Sequence, residues 1–294
     1  MKISVIIPAY NEEMAIDGVL TSLEEALLGR DAEIIVVDDG SIDCTSQIVR
    51  MHERVTLIRH RRNRGYGFAI KTGIRAAKGE IVAWYDSDGQ HRPEDLMKVI
   101  RKMEEEDLDY CIGVRGKDSY IDKTRVVGKM ILRLFVKYVA GVRTGDFNSG
   151  LRAFKRSVIC KYLPLLPKRF GASTVTTILM QEQEYVGGEV EITVEKRVGK
   201  SSVRQIRDGL RTLGLMMNVI LLFRPMQVFG TCGIACALAG AVYGISAAVL
   251  YGNGMPVLAA LLVMFGIQLI CFGILSDQTG RTRRERYETV GEEV

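Results

Sequence analysis

Asp86-Ser87-Asp88 stands directly behind the apolar run Glu80-Ile81-Val82-Ala83-Trp84-Tyr85 and ahead of Gly89 and Gln90. A buried strand that stops in Asp-x-Asp delivers two carboxylates to one point at a sheet edge. Hard oxygen donors of this kind suit Mg2+ or Mn2+, which share their coordination with substrate phosphates. The triplet by itself also suits an ordinary turn. Its meaning therefore depends on what else the chain brings to the same edge.

Four other stretches carry chemistry-bearing side chains. Asp38-Asp39-Gly40-Ser41 follows Ile34-Ile35-Val36-Val37. Gly40 and Ser41 alone would make a turn and a helix cap, whereas two consecutive carboxylates exceed what a turn requires and can accept from a nucleobase N–H or a ribose hydroxyl. Arg59-His60-Arg61-Arg62-Asn63-Arg64-Gly65 leads into a helix start, and is either a solvated charge run or a set of diphosphate and sugar contacts. Gly145 to Arg152 combines an acid, a turn and a base, and reads equally as a tight turn before a strand. Glu191 to Arg197 reads as a strand, and Gly199-Lys200-Ser201-Ser202 as a loop that closes over phosphate or is a plain linker to the C-terminal helices.

These stretches need a scaffold, and the first 115 residues supply its pattern. Strands are predicted at Ile3–Ile7, Glu33–Val37, Val55–Ile58, Glu80–Tyr85 and Asp109–Val114, and helices at Ala15–Leu28, Ser41–Met51, Tyr66–Ala77 and Pro93–Glu105. Alternating apolar strands and amphipathic helices predict a mostly parallel, doubly wound α/β sheet. Ligands bind such sheets at the carboxyl ends of the strands, where the motifs after the first, second and fourth strands fall. Further on, Asp122 to Val142 places Arg125, Lys129, Arg133 and Lys137 at four-residue spacing beside apolar residues. A stripe of one sign fits an interfacial helix on anionic lipid better than a solvated face. Val203 to Arg224 repeats the theme with Arg204, Arg207 and Arg211.

The chain has 294 residues, 47% of them hydrophobic, and a net charge of +5. Val228–Leu250 and Val257–Leu275 hold no charged residue. Each matches the roughly 20 residues that cross a hydrocarbon core of about 30 Å, so a two-span hairpin is predicted rather than two buried core helices. Arg204, Arg207, Arg211 and Arg224 precede it and Arg281, Arg283, Arg284 and Arg286 come after it, which puts both termini on the cytoplasmic side. Lys2 leads straight into Ile3, so no leader peptide is expected. The six cysteines show no metal-ligand spacing, and reduced, packed thiols are expected. No aromatic–basic pattern for nucleic acid is present. Gly240 and Gly244 allow close helix packing, within one hairpin or between chains of a homo-oligomer.

Taken together, the chain resembles the family-2, GT-A-fold glycosyltransferases, and most closely the dolichol-phosphate mannosyltransferase and polyprenyl-phosphate glycosyltransferase branch. The resemblance rests on Ile7-Pro-Ala-Tyr-Asn-Glu12, Val36-Val-Asp-Asp-Gly-Ser41, Asn63-Arg-Gly-Tyr-Gly67 with Ala69, Asp86-Ser-Asp-Gly-Gln90 with Pro93-Glu94-Asp95, Ser149-Gly-Leu-Arg-Ala-Phe154 and Arg197-Val-Gly-Lys-Ser201, in family order. It implies a GT-A catalytic domain over residues 1–200, juxtamembrane amphipathic helices over 201–225, two transmembrane helices over 226–276 and a cytoplasmic basic tail over 277–294. It also implies transfer of one sugar from a nucleotide-sugar, GDP-mannose or a UDP-hexose, to dolichyl or polyprenyl phosphate at the membrane. By similarity, Pro8, Tyr10, Glu12 and Asp39 hold the nucleoside, and Asp86, Asp88 and Gln90 hold Mg2+ or Mn2+ on the donor diphosphate. Arg197 contacts donor phosphate; Arg115, Arg125 and Lys129 lie where the family grips the acceptor phosphate, although Gly128-Lys129 replaces the usual hydroxyl residue there. Asp146 falls near the reacting sugar, which makes Asp88, Asp146 and Arg125 the expected catalytic set. Direct displacement with inversion is expected.

Two other functions compete. A processive polysaccharide synthase shares the catalytic fold but carries a Gln-x-x-Arg-Trp element, and the single tryptophan, Trp84, lies inside a predicted strand. A non-catalytic nucleotide-binding membrane scaffold has no need of Asp86, Asp88 and Gln90 together.

Overall fold

The first strand, Ile3–Ala9 (β1), is buried along its whole length. Its alternate side chains feed two different cores. Ile3, Val5, Ile7 and Ala9 join one apolar cluster, and Ile6 joins the other. A strand buried on both faces belongs to the centre of a helix-covered parallel sheet. The computed structural model bears this out and describes residues 1–116, 119, 146, 148–169, 171–197, 214, 217, 221, 224–252 and 254–291. The basic stripe expected at 122–142, with Arg125 and Lys129, the arginines Arg204, Arg207 and Arg211 of the second stripe, and the Gly199–Ser202 loop lie outside the described residues.

Seven strands form one sheet: β1, β2 (Ala32–Asp38), β3 (Val55–Arg59), β4 (Ile81–Trp84), β5 (Tyr110–Arg115), β6 (Arg152–Lys155) and β7 (Gly187–Ile192). Their spatial order is β3-β2-β1-β4-β6-β5-β7. Neighbours are parallel except that β6 runs antiparallel to both β4 and β5, with Trp84 opposite Arg152 and Ile112 also opposite Arg152. The chain winds outward from β1 to β3 and then returns to place β4 on the other side of β1. Loops leaving β1 and β4 therefore diverge, and a crevice opens between them at the carboxyl edge.

Helices cover both faces. Residues of α1 (Ile16–Ala26) and α4 (Pro93–Glu105), with Val49 of α2 (Thr45–Val49), pack into the first core. Residues of α3 (Tyr66–Ala76), α5 (Arg156–Lys161) and α6 (Ala172–Glu182) pack into the second, around Trp84 and Phe154. Pro93 opens α4, where its fixed φ and missing N–H cost nothing.

Two helices, α7 (Pro225–Tyr251) and α8 (Val257–Gly291), form the hairpin. Both are long and apolar enough to cross a membrane over Pro225–Leu250 and Val257–Gly280. The helix does not stop at residue 276: α8 continues to Gly291 through the segment expected to be a tail. Small residues fit the two helices together. A Cβ on Gly233 would lie 2.6 Å from the Gly266 carbonyl oxygen, and one on Gly240 2.8 Å from that of Ala259. Gly240 and Gly244 thus face α8 of the same chain. Arg224, the residue before α7, pairs through Nε with Glu182 Oε1 at 2.6 Å, tying the hairpin entry to the end of α6, and α8 packs against α5.

Candidate active site

β4 ends at Trp84, and the chain then turns through Tyr85 to His91 at the mouth of the crevice. Gly89, at φ +71°, takes the left-handed conformation that this turn needs. The Tyr85 hydroxyl donates to the His91 carbonyl and closes the turn from below. Ser87 Oγ donates to the Pro8 carbonyl at 2.8 Å, which joins the loops after β4 and β1.

The two carboxylates of the turn have different surroundings. Asp86 Oδ1 accepts from the Tyr66 hydroxyl at 2.8 Å, and its Oδ2 lies 3.6 Å from His91 Nε2. Burial pushes the Asp86 carboxyl up, but His91, Tyr66 and Arg197 together outweigh it and hold the group below its ordinary range. Asp88 is raised, first by burial and then by the charge of Asp86. Two carboxylates in one desolvated site separate in this way because both cannot ionise freely. Asp88 Oδ1 accepts from the Gln90 backbone N–H at 3.2 Å, and Oδ2 lies 3.2 Å from a terminal nitrogen of Arg197. That guanidinium also bonds Glu12 Oε1. Burial raises Glu12 to about 7 despite this partner.

The loop after β1 is fastened to the turn after β2. Asn11, at φ +55°, donates its N–H to Ser41 Oγ at 2.9 Å and accepts from the Ile42 N–H at 3.0 Å. The Glu12 N–H donates to Thr45 Oγ1 at 2.9 Å. Tyr10 is half-buried on the same loop. Asp38 accepts from the Ser41 N–H and from Ser46 Oγ. Asp39 accepts from the N–H groups of Arg64 at 2.9 Å and Gly65 at 2.6 Å, and from His60 Nδ1 at 2.6 Å. Among the described residues the Asp39 carboxylate serves only the basic loop. It sets the position of that loop and of the α3 start, where Tyr66 reaches Asp86.

The antiparallel strand brings a third wall. Gly150, just before β6, touches the acidic turn so closely that a Cβ there would fall 2.0 Å from Asp86 Oδ2 and 3.2 Å from His91 Nε2. Arg152 is fully buried behind it. Its Nε and one terminal nitrogen donate to the Ser149 carbonyl at 3.0 and 2.6 Å, and the other terminal nitrogen to the Ser173 carbonyl at 2.6 Å and Thr176 Oγ1 at 2.9 Å. Burial lowers its pKa to about 10, which leaves it charged at neutral pH. Arg115, at the end of β5, pairs through Nε with Asp146 Oδ2 at 3.3 Å.

The structure thus gathers Glu12, Asp86, Asp88, Gln90 and Arg197 at one point and pairs Arg115 with Asp146 next to the β5 end. Arg125 and Lys129 are outside the described residues. The structure also places Tyr66, His91, Gly150 and Arg152 against or behind the acidic turn; of these the sequence singled out Arg152, as the base of the Gly145–Arg152 stretch. His91 was legible only as one of the two residues between Gln90 and Pro93. Its buried Nδ1 has no hydrogen-bond partner among the described residues.

The donor set suits a divalent cation of the magnesium class. Such ions take one or two protein carboxylates and complete their shell with water and substrate phosphate. Among the described residues no three His, Cys, Asp or Glu side chains form a closed cage, and Asp86 with Asp88 supplies the open arrangement instead. A guanidinium already lies against Asp88 and Glu12, so the spot attracts positive charge.

Comparison with known proteins agrees with the geometry. Residues 4–163 match the model of glycosyl transferase family 2, and residues 224–282 match the GtrB C-terminal hairpin. An undecaprenyl-phosphate 4-deoxy-4-formamido-L-arabinose transferase of Pseudomonas aeruginosa is 29% identical over 307 residues, covering 95% of this chain and 85% of its own. A UDP-N-acetylglucosamine–dolichyl-phosphate N-acetylglucosaminyltransferase of Methanococcus voltae is 34% identical over 215 residues, covering 65% of this chain and 84% of its own. The fold matches glucosyl-3-phosphoglycerate synthase from Mycobacterium tuberculosis, crystallised with Mn2+, UDP and glucosyl-3-phosphoglycerate. The TM-score is 0.61 at 19% identity, over 74% of this chain and 80% of that one. The chain is an enzyme of the transferase class, belonging to glycosyl transferase family 2 and carrying a GtrB-type C-terminal hairpin.

Proposed function

We propose that this enzyme transfers a single sugar from a nucleotide-sugar, GDP-mannose or a UDP-hexose, to dolichyl or polyprenyl phosphate at the cytoplasmic face of a membrane. The observation that carries the reading is the acidic turn at the β1/β4 crevice in the same chain as a two-helix apolar hairpin. The relatives that span the hairpin as well as the catalytic domain act, by their names, on undecaprenyl phosphate. Basic residues on both flanks of the hairpin favour cytoplasmic termini.

In this reading Asp86, Asp88 and Gln90 hold Mg2+ or Mn2+, which neutralises charge on the leaving diphosphate. Tyr66 and His91 fix the orientation of Asp86. Pro8, Tyr10, Glu12 and Asp39 hold the nucleoside, with Asp39 also fastening the basic loop beside it, and Arg197 meets the donor phosphates. Arg115, Arg125 and Lys129 receive the acceptor phosphate, and Asp146, paired with Arg115, lies near the reacting sugar. A phosphate monoester has a second pKa near 6 and is mostly ionised at pH 7. It needs positioning by cations more than proton removal, which fits a site rich in arginine. Attack on the anomeric carbon proceeds through oxocarbenium character and inverts configuration.

A processive synthase is disfavoured because Trp84 is the single tryptophan and is fully buried in β4. The test is to incubate membranes holding the protein with a panel of nucleotide-sugars and polyprenyl phosphate, and to identify the glycolipid by mass. One monosaccharide per lipid, lost in Asp88→Ala, is expected. Chains of several sugars, or no product with any donor, would overturn the reading, and a retained anomeric configuration would overturn the displacement step.

A further inference from the structure

The segment after β7 is bonded at successive residues, first to α4 and Ser119 and then to the acidic turn itself. The Thr193 N–H donates to Asp95 Oδ2 at 3.0 Å, and the Val194 N–H to Ser119 Oγ at 3.1 Å. Glu195 then makes a reciprocal pair with Gln90. Its N–H donates to the Gln90 carbonyl at 2.9 Å, and Gln90 Nε2 donates to the Glu195 carbonyl at 2.9 Å. Arg92 Nε pairs with Glu195 Oε1 at 2.7 Å. Two residues on, Arg197 inserts its guanidinium between Glu12 and Asp88.

We propose that residues 193–197 form a strap over the metal-binding turn, and that Arg197 fills the cation position there until metal and donor displace it. The inference rests on the metal assignment proposed for this turn and adds a competition to it. Three carboxylates, Glu12, Asp86 and Asp88, share a poorly solvated site, and one guanidinium answers them. Without a counter-ion their mutual repulsion would splay the turn. Arg197 supplies that counter-ion from the strap, and the same position denies the site to a free metal ion. Its fit is incomplete: the two terminal nitrogens reach the acids, while the buried Nε has no hydrogen-bond partner among the described residues. A planar fork that can grip a phosphate bidentately is thus parked on carboxylates with one donor idle. The donor diphosphate offers Arg197 a better partner as the metal takes over Asp88. Gln90 is held by the strap too, because its side-chain amide donates to Glu195. Metal and nucleotide should then bind cooperatively, since each removes the obstacle to the other.

The test is Mn2+ binding to the full chain in detergent, measured from the free-ion electron paramagnetic resonance signal with and without UDP or GDP. Arg197→Gln is expected to bind Mn2+ alone about five- to tenfold more tightly than wild type, the scale of one lost ion-pair competitor. Its further tightening by nucleoside diphosphate should shrink. Glu195→Gln, which loosens the strap through Arg92 and leaves Arg197 in place, should shift Mn2+ affinity in the same direction by a smaller factor. Asp88→Asn should remove the binding. If Asp88→Asn removes it but Arg197→Gln binds Mn2+ no more tightly than wild type, the strap is wrong and the metal site stands. If Asp88→Asn binds Mn2+ like wild type, the metal assignment and the strap fall together.

Discussion

The Tyr66 hydroxyl donates to Asp86 Oδ1 at 2.8 Å, so the first residue of α3 holds one carboxylate of a turn that leaves a different strand. Tyr66→Phe deletes this bond and keeps the ring. A hydrogen bond to a charged group contributes ~1.5–3 kcal/mol, so the apparent Mn2+ requirement for sugar transfer should rise about tenfold or more. The far-ultraviolet circular dichroism should be unchanged. An unaltered Mn2+ titration would remove Tyr66 from the site.

Gly150 has no room for a side chain on the Asp86 side. Gly150→Ala would drive a methyl group onto the half-buried Asp86 carboxylate, which Tyr66 and His91 flank on its other sides. Transfer should drop by at least about a hundredfold, a scale that small displacements of catalytic groups reach. Binding of the lipid acceptor, read by photo-crosslinking, should persist. Near-normal turnover in this variant would mean that Asp86 can move without loss.

Arg152 answers two buried carbonyls and two threonine hydroxyls beside the second core. Arg152→Met fills the volume but takes the guanidinium donors away from the Ser149 and Ser173 carbonyls. Each buried carbonyl left without its donor costs about 1–3 kcal/mol, which together for a chain of this size is a fall in melting temperature of about 10 °C. Arg152→Lys should recover only part of it, because an ammonium group cannot span both carbonyls. Differential scanning fluorimetry in detergent would measure both.

Burial raises the Glu12 carboxyl from its ordinary 4.5 to about 7. Between those values the folded chain binds more protons than the unfolded chain, so stability declines as pH rises and levels off above about 7. Glu12→Gln removes the titrating group. Its melting temperature relative to wild type should therefore climb between about pH 5 and 7 and then stay constant. A difference that does not vary with pH would show Glu12 ionised throughout.

Much of this arrangement was legible beforehand. Continuous apolar runs ending in carboxylates located β2 and β4, and Pro93 and Glu105 proved to be the ends of α4. Those signals are local, because strand burial and helix capping write themselves into neighbouring residues. What the sequence did not show depends on distant partners. The reversal of β6 follows from pairing with β4 and β5, and no residue within Arg152–Lys155 specifies direction. The hydrogen bonds of Asp39 to a loop more than twenty residues away were not legible in its own neighbourhood. His91 lacked any periodic or motif cue until Asp86 stood beside it. α8 passed residue 276 without a break because charged residues after Asp277 end the apolar run but not the helix.

The reversed strand has a consequence for the reactive edge. Arg115 leaves the sheet and Ser149 re-enters it at one and the same rim, the rim that holds the acidic turn. Whatever lies between them is grafted at both ends onto the reactive edge. A change of length or charge in that interval bears on the edge at Asp86 and Asp88 without moving a strand, while β1 to β4, wound before it, are left as they were.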